Sequence, residues 1–159
     1  MNSPDHVSAR NGGVRRVTIL GSTGSVGQNT VDLLLRNQEA FEVEGLTANR
    51  NPAGLAEQAR ALRARFAAIA NPVHYPALRD ALAGTGIETA CGAQAIVEAA
   101  VRPADWVMAA IVGAAGLAPT LAAIQRGAIV ALANKEALVC AGELVMQEVT
   151  RCRAMLLPG

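Results

Sequence analysis

The sequence predicts an α/β fold, a mainly parallel, doubly wound sheet with helices on both faces. Strand-like and helical segments alternate along nearly the whole 159-residue chain, which is the pattern of repeated strand–helix–strand units. The first strand runs through three glycines spaced three apart, Gly21, Gly24 and Gly27, straight into a helix. The stretches least like plain core are Gly21 to Gly27, Thr47 to Asn51, Val112 to Gly116 and Asn134 to Glu136. All four follow strands, at the edge where such sheets bind ligands.

The elements follow in order. Val17 to Leu20 is a buried strand, and Ser25 to Arg36 a helix that covers the sheet with Val26, Thr30, Leu33 and Leu34 on one face. Phe41 to Thr47 is the second strand. Asn51 offers a capping side chain and Pro52 suits the first helical position, with Leu55, Ala59, Leu62 and Phe66 at helical spacing. Arg60, Arg63 and Arg65 face water. Phe66 to Ile69 is a third strand, stopped by Asn71 and Pro72, and a helix starts again at Pro76. Ile87 to Cys91 is a strand and Gly92 to Ala99 a short helix. Asp105 to Ala110 is strand, Leu117 to Arg126 helix and Ala128 to Leu132 strand. A last helix covers Gly142 to Ala154, and Met155 to Leu157 begin one more strand.

The glycine segment G-S-T-G-S-V-G specifies a Rossmann-like turn. Gly21 lets the chain leave the strand sharply, Gly24 lets backbone approach a ligand, and Gly27 lets the helix pack on the strand. Backbone N–H groups at a helix N-terminus stabilise a pyrophosphate there. The spacing is G-x-x-G-x-x-G, not the commoner G-x-G-x-x-G, so a plain structural turn is the competing reading. A Walker loop is excluded, because Gln28 and not Lys follows Gly27.

At the end of the second strand a carboxylate holds the ribose hydroxyls of NAD, whereas a cation accommodates the extra phosphate of NADP. Here the chain reads T-A-N-R-N: Arg50 can make bidentate charge-assisted bonds, and Asn49 and Asn51 can donate to the same phosphate. The plainer alternative is that Asn51 only caps a helix and Arg50 is a solvated loop residue.

Composition narrows the classes. With 52% hydrophobic and 17% charged residues the chain has the core of one compact domain. Net charge is +1 with four aromatic residues and no basic block, so nucleic acid is not an expected partner. Cys91, Cys140 and Cys152 form no C-x-x-C pair and stand far from His6 and His74, which speaks against zinc and for reduced thiols in the cytoplasm. Residues 1–14 carry no apolar run and read as a flexible tail rather than a signal, leaving 15–159 as the folded domain. Trp106 to Ile124 is uncharged over nineteen residues, nearly a membrane span. Its Ala, Gly and Pro119 make a buried strand, a tight loop and a helix the better reading, and no membrane association is expected.

Thirteen of the fourteen basic residues are Arg, and the lone Lys is Lys135 in A-N-K-E-A after a buried strand. A chain that otherwise chooses Arg suggests a site needing a compact ammonium, against the alternative of a snorkelling surface Lys.

G-S-T-G-S-V-G at Gly21, A-A-I-V-G-A-A-G-L-x-P-T-L-A-A-I from Ala109 to Ile124 and L-A-N-K-E-A-L-V from Leu132 to Val139 together resemble the N-terminal domain of the 1-deoxy-D-xylulose 5-phosphate reductoisomerase family. The resemblance runs from about Arg16 to Pro158. It implies an enzyme dependent on NADPH and a divalent metal, manganese or magnesium, that turns 1-deoxy-D-xylulose 5-phosphate into 2-C-methyl-D-erythritol 4-phosphate in non-mevalonate isoprenoid synthesis. Such an enzyme is expected to be a homodimer.

Carried over by motif, Thr23, Gly24, Ser25 and Val26 would hold the pyrophosphate, and Asn49, Arg50 and Asn51 the 2'-phosphate. Asn134 and Glu136 would contact the cofactor and Lys135 the substrate. Asn49 and Arg50 stand where many members have Gly and Lys, which keeps the positive charge. In the family the L-L-P turn continues into V-D-S-E, whose Asp and Glu bind the metal, whereas here Leu156, Leu157 and Pro158 are followed by Gly159. The expectation is therefore an NADPH-binding domain, 15–159, cut before the metal-binding and catalytic region, with no metal ligands and no turnover of its own. The competing readings are a stand-alone NADP(H)-sensing module without chemistry and a Rossmann-like domain of another NADP oxidoreductase.

Overall fold

The computed structural model describes residues 13–133, 143, 147, 148, 150–152 and 155–158. The elements are β1 (Arg15–Leu20), α1 (Ser25–Leu35), β2 (Phe41–Ala48), α2 (Pro52–Leu62), β3 (Phe66–Ile69) and α3 (Tyr75–Ala81). They continue with β4 (Glu88–Cys91), α4 (Ala93–Val101), β5 (Trp106–Ala109), α5 (Leu117–Gln125), β6 (Ile129–Leu132) and β7 (Met155–Pro158). The tail expected over 1–14 falls almost wholly outside the described residues, as does much of the helix expected over Gly142 to Ala154, of which Glu143, Gln147, Glu148 and Thr150 to Cys152 are helical.

Among the described residues the sheet has seven strands in the order β4-β3-β2-β1-β5-β6-β7, all parallel. The chain winds outward from β1 to β4, returns through α4 to lay β5 on the other side of β1, and winds outward again. The order thus reverses between β1 and β5, which makes the carboxyl ends of those two strands the switch point where ligands bind. Helices α1, α2 and α3 cover one face, around Ile19, Leu46, Leu55 and Leu78. Helices α4 and α5 cover the other, around Leu20, Phe66, Val107 and Ile124. Among the described residues no helix is long and apolar enough to cross a membrane; the uncharged stretch from Trp106 is β5, a turn and the nine-residue α5.

The face predicted for α1 is corrected. Val26 and Leu33 are 42% and 54% exposed, and the buried stripe is Gly27, Val31 and Leu34. Gly27 sets this phase. A Cβ on it would come within 2.6 Å of Ser22 Cα, so this side of the helix must lie against the turn. With Gly27 inward, positions four and seven residues on face inward too, and Val26, Thr30 and Leu33 turn outward. The repeat in α2 also stops earlier than its spacing suggests. Arg63 adopts a left-handed conformation after Leu62, so Phe66 belongs to β3. Arg60, Arg63 and Arg65 are exposed as expected, Arg60 donating to Ala81 O at 2.7 Å.

Strand β2 carries a bulge. Val17 pairs with Val43 but Thr18 with Gly45, so Glu44 is an extra residue. The alternation changes phase there, and Val43, Leu46 and Ala48 all reach the same core. Glu44 is only 3% exposed. It accepts from Arg102 Nε at 2.9 Å, while the Arg102 guanidinium lies 4.5 Å over the Phe66 ring and also meets Glu88. Burial alone lowers the Arg102 pKa, but the hydrogen bonds and charges of Glu44 and Glu88 outweigh it and leave it raised. This ionic cluster sits at the amino end of the sheet, opposite the glycine turn.

Candidate dinucleotide site

The turn after β1 is held by its neighbours. Gly21 has φ +86, and a Cβ there would meet Ala110 O at 2.8 Å, so both the turn and the approach of the chain after β5 require glycine. The Gly21 N–H donates to Thr47 Oγ1 at 2.9 Å and the Ser22 N–H to Thr47 O at 2.7 Å, which ties the turn to the end of β2. Gly24 differs. Its φ is −76, and a Cβ on it would find only Gly21 O at 3.8 Å, so nothing in the fold demands a glycine at this position. Gly24 is the N-cap of α1 and no side chain caps the helix. The first-turn N–H groups beneath Ser25 and Val26 are left for water or an anion.

Beside this turn lies a cleft of about 550 Å³. Gly21, Thr23 and Gly24 form one wall, Thr47 to Asn49 the end of β2, and Ala70 the end of β3. Ile96 and Val97 of α4, with Ile111, Val112, Ala115 and Pro119 from the segment after β5, make the rest mostly apolar. A mostly apolar cleft with a few polar side chains, Thr23, Thr47, Asn49 and Gln94, beside a helix N-terminus suits flat rings with a phosphate bridge. At its edge Asn49 and Arg50 are exposed, and Arg50 has no partner among the described residues. Asn51 is otherwise engaged: its Oδ1 accepts from the Gly54 N–H at 2.9 Å and caps α2.

Of the predicted site residues, Gly21, Thr23, Gly24 and Asn49 therefore line one cleft; Ser25 and Val26 begin the helix beside it, and Gly27 is the contact that seats that helix. Asn134, Lys135 and Glu136 lie outside the described residues. The strand leading to them, β6, ends beside β5, with the Ala133 N–H donating to Ala109 O at 2.9 Å. Sequence reasoning missed the α4 wall and the polar lock beneath the turn. In that lock Ser22, fully buried, donates through Oγ to Gln58 Oε1 at 2.6 Å, and Gln58 Nε2 donates back to Ser22 O at 3.0 Å. The available signal was Gln58 itself, a polar residue beside the buried stripe of Leu55, Ala59 and Leu62.

Sheet order and turn geometry define the chain as a Rossmann-like, doubly wound α/β domain. A biliverdin reductase from Synechocystis, in complex with biliverdin and NADP+, shares that fold at 21% identity and a TM-score of 0.61 over 90% of this chain. A model of the 1-deoxy-D-xylulose 5-phosphate reductoisomerase family matches residues 17–142, and the chain belongs to that family. The reductoisomerase of Rhodospirillum centenum is 63% identical over 156 residues, which is 98% of this chain and 39% of that protein. A solved reductoisomerase from Zymomonas mobilis in complex with NADPH has a TM-score of 0.90 at 53% identity, over 91% of this chain and 38% of that one. Another, described in complex with NADPH, fosmidomycin and magnesium, has a TM-score of 0.87 at 34% identity, over 91% of this chain and 36% of that one. The chain thus spans under two fifths of the length of the relatives it matches.

Proposed function

We propose that the chain is the NADPH-binding part of a 1-deoxy-D-xylulose 5-phosphate reductoisomerase, which converts that substrate to 2-C-methyl-D-erythritol 4-phosphate. The observation that carries the reading is Gly24: a glycine without a structural reason, at an uncapped helix start, on the wall of an apolar cleft at the switch point. NADPH, when bound, supplies the hydride for the reduction. Gly21 and Gly27 shape the turn, the backbone of Thr23 to Val26 receives the pyrophosphate, and Asn49 and Arg50 receive the 2'-phosphate, with Asn51 holding the start of α2. Motif alone assigns Asn134 and Glu136 to the cofactor and Lys135 to the substrate.

A divalent metal is part of the family expectation. Among the described residues no group of three or more His, Cys, Asp or Glu comes together to hold one. The family likewise implies a homodimer in the cytoplasm, which the reading carries with it.

The experiment is a calorimetric titration with NADPH and NADH, on the wild type and on Arg50→Ala. A charge-assisted hydrogen bond contributes about 1.5–3 kcal/mol, so the wild type prefers NADPH by roughly tenfold to a hundredfold and the variant loses that preference. Equal affinities in the wild type would sink the assignment.

A further inference from the structure

We infer that Gln58 is a positioning residue for the dinucleotide site, its side-chain amide gripping Ser22 and so fixing the glycine turn to the helix that follows the Arg50 loop. The inference rests on the NADPH reading above.

Ser22 has no exposure, and it is enclosed on three sides. Thr47 takes its N–H at 2.7 Å, Gly27 packs against its backbone, and Gln58 reaches it from α2. The Gln58 amide accepts from Ser22 Oγ at 2.6 Å through Oε1 and donates to Ser22 O at 3.0 Å through Nε2. Only a group that donates and accepts in one plane closes both bonds. A methionine of the same length makes neither. A carboxylate makes one, leaves Ser22 O without its donor, and adds a negative charge beside the place where a pyrophosphate binds. The two bonds join segments thirty-six residues apart in sequence. Of these, one forms the pyrophosphate wall and the other begins at Asn49 and Arg50. Gln58 contacts Ser22 rather than the ligand and acts through it.

The test compares wild type, Gln58→Met and Gln58→Glu by calorimetry with two probes. NADPH needs the turn; adenosine 2'-monophosphate carries the 2'-phosphate but no pyrophosphate, and needs only the end of β2. With both Gln58 bonds lost and Ser22 Oγ left only with Thr47 O at 3.3 Å, Gln58→Met weakens NADPH by about tenfold or more while adenosine 2'-monophosphate stays within about twofold. Gln58→Glu weakens NADPH at least as much. If Gln58→Met binds NADPH like the wild type, or loses both probes by the same factor, the inference is overturned. Should Gln58→Met fail to fold by circular dichroism, Gln58→Glu decides, and wild-type NADPH affinity in that variant overturns it. A wild type that binds no NADPH would instead defeat the functional reading, which separates the two failures.

Discussion

Gly24 and Gly27 stand three residues apart, and one added side chain separates what each does. At Gly24 a Cβ meets only Gly21 O at 3.8 Å, an ordinary contact; at Gly27 it meets the Ser22 backbone at 2.6 Å, which has no flexible end that can yield. Gly24→Val therefore leaves the domain folded and removes NADPH binding, because the new side chain fills the volume through which the pyrophosphate approaches. Gly27→Ala acts on the fold instead, costing about 3 kcal/mol, the upper end of the overpacking range. Urea unfolding monitored by circular dichroism, with calorimetry on the same samples, reads both effects. A Gly24→Val variant that unfolds earlier and binds normally would reverse the assignment of the two glycines.

At the scale of elements, the strand–helix order follows from hydrophobic runs and from Gly and Pro punctuation, and the boundaries of α2, β3 and α5 fall within one residue of those marks, apart from Phe66. The phase of α1 does not follow from hydrophobicity. Val26 and Leu33 are as apolar as Val31 and Leu34, and only a contact between distant backbone segments chooses between the two stripes. The bulge in β2 is equally hidden, since Glu44 reads as a polar, outward residue until Arg102 arrives from the far end of α4. The Ser22–Gln58 bridge escaped for the same reason: a polar pairing across thirty-six residues leaves no local period. That the glycine turn and the end of β2 meet at one cleft was legible because both follow parallel strands at the carboxyl edge of the sheet.

The Glu44–Arg102 pair holds its end of the sheet together through a buried carboxylate. Arg102→Ala strips the buried Glu44 carboxylate of its 2.9 Å partner and leaves Arg65 at 3.9 Å as the remaining cation. The expected loss is about 3 kcal/mol, and a double variant with leucine at both Glu44 and Arg102 loses less than Arg102→Ala alone. Denaturant midpoints of the three proteins decide it. Cofactor affinity is unchanged, because the pair lies at the opposite end of the sheet from the cleft.

For the whole molecule, one sheet serves two cores, and the cleft opens where the strand order reverses between them. The cleft is walled by the turn after β1, the end of β2, α4 and the segment after β5, so a ligand held in it would be released by unfolding of either core. Binding to the native state alone adds about 2.7 kcal/mol at a hundred times the dissociation constant, which for a domain of this size raises Tm by roughly 5–10 °C. A thermal melt with and without NADPH measures this, and a single transition that moves as a unit is the expected form. Two transitions, only one of them shifted, would show the cores to be uncoupled.

The clamping of the turn by Thr47, Gly27 and Gln58 also has a kinetic meaning. A loop already held on three sides has little left to arrange when a ligand arrives, so capture is governed by how often a phosphate meets the opening, and the exposed Arg50 at its rim raises that frequency by attraction. Stopped-flow mixing at rising salt should slow arrival far more than it hastens departure.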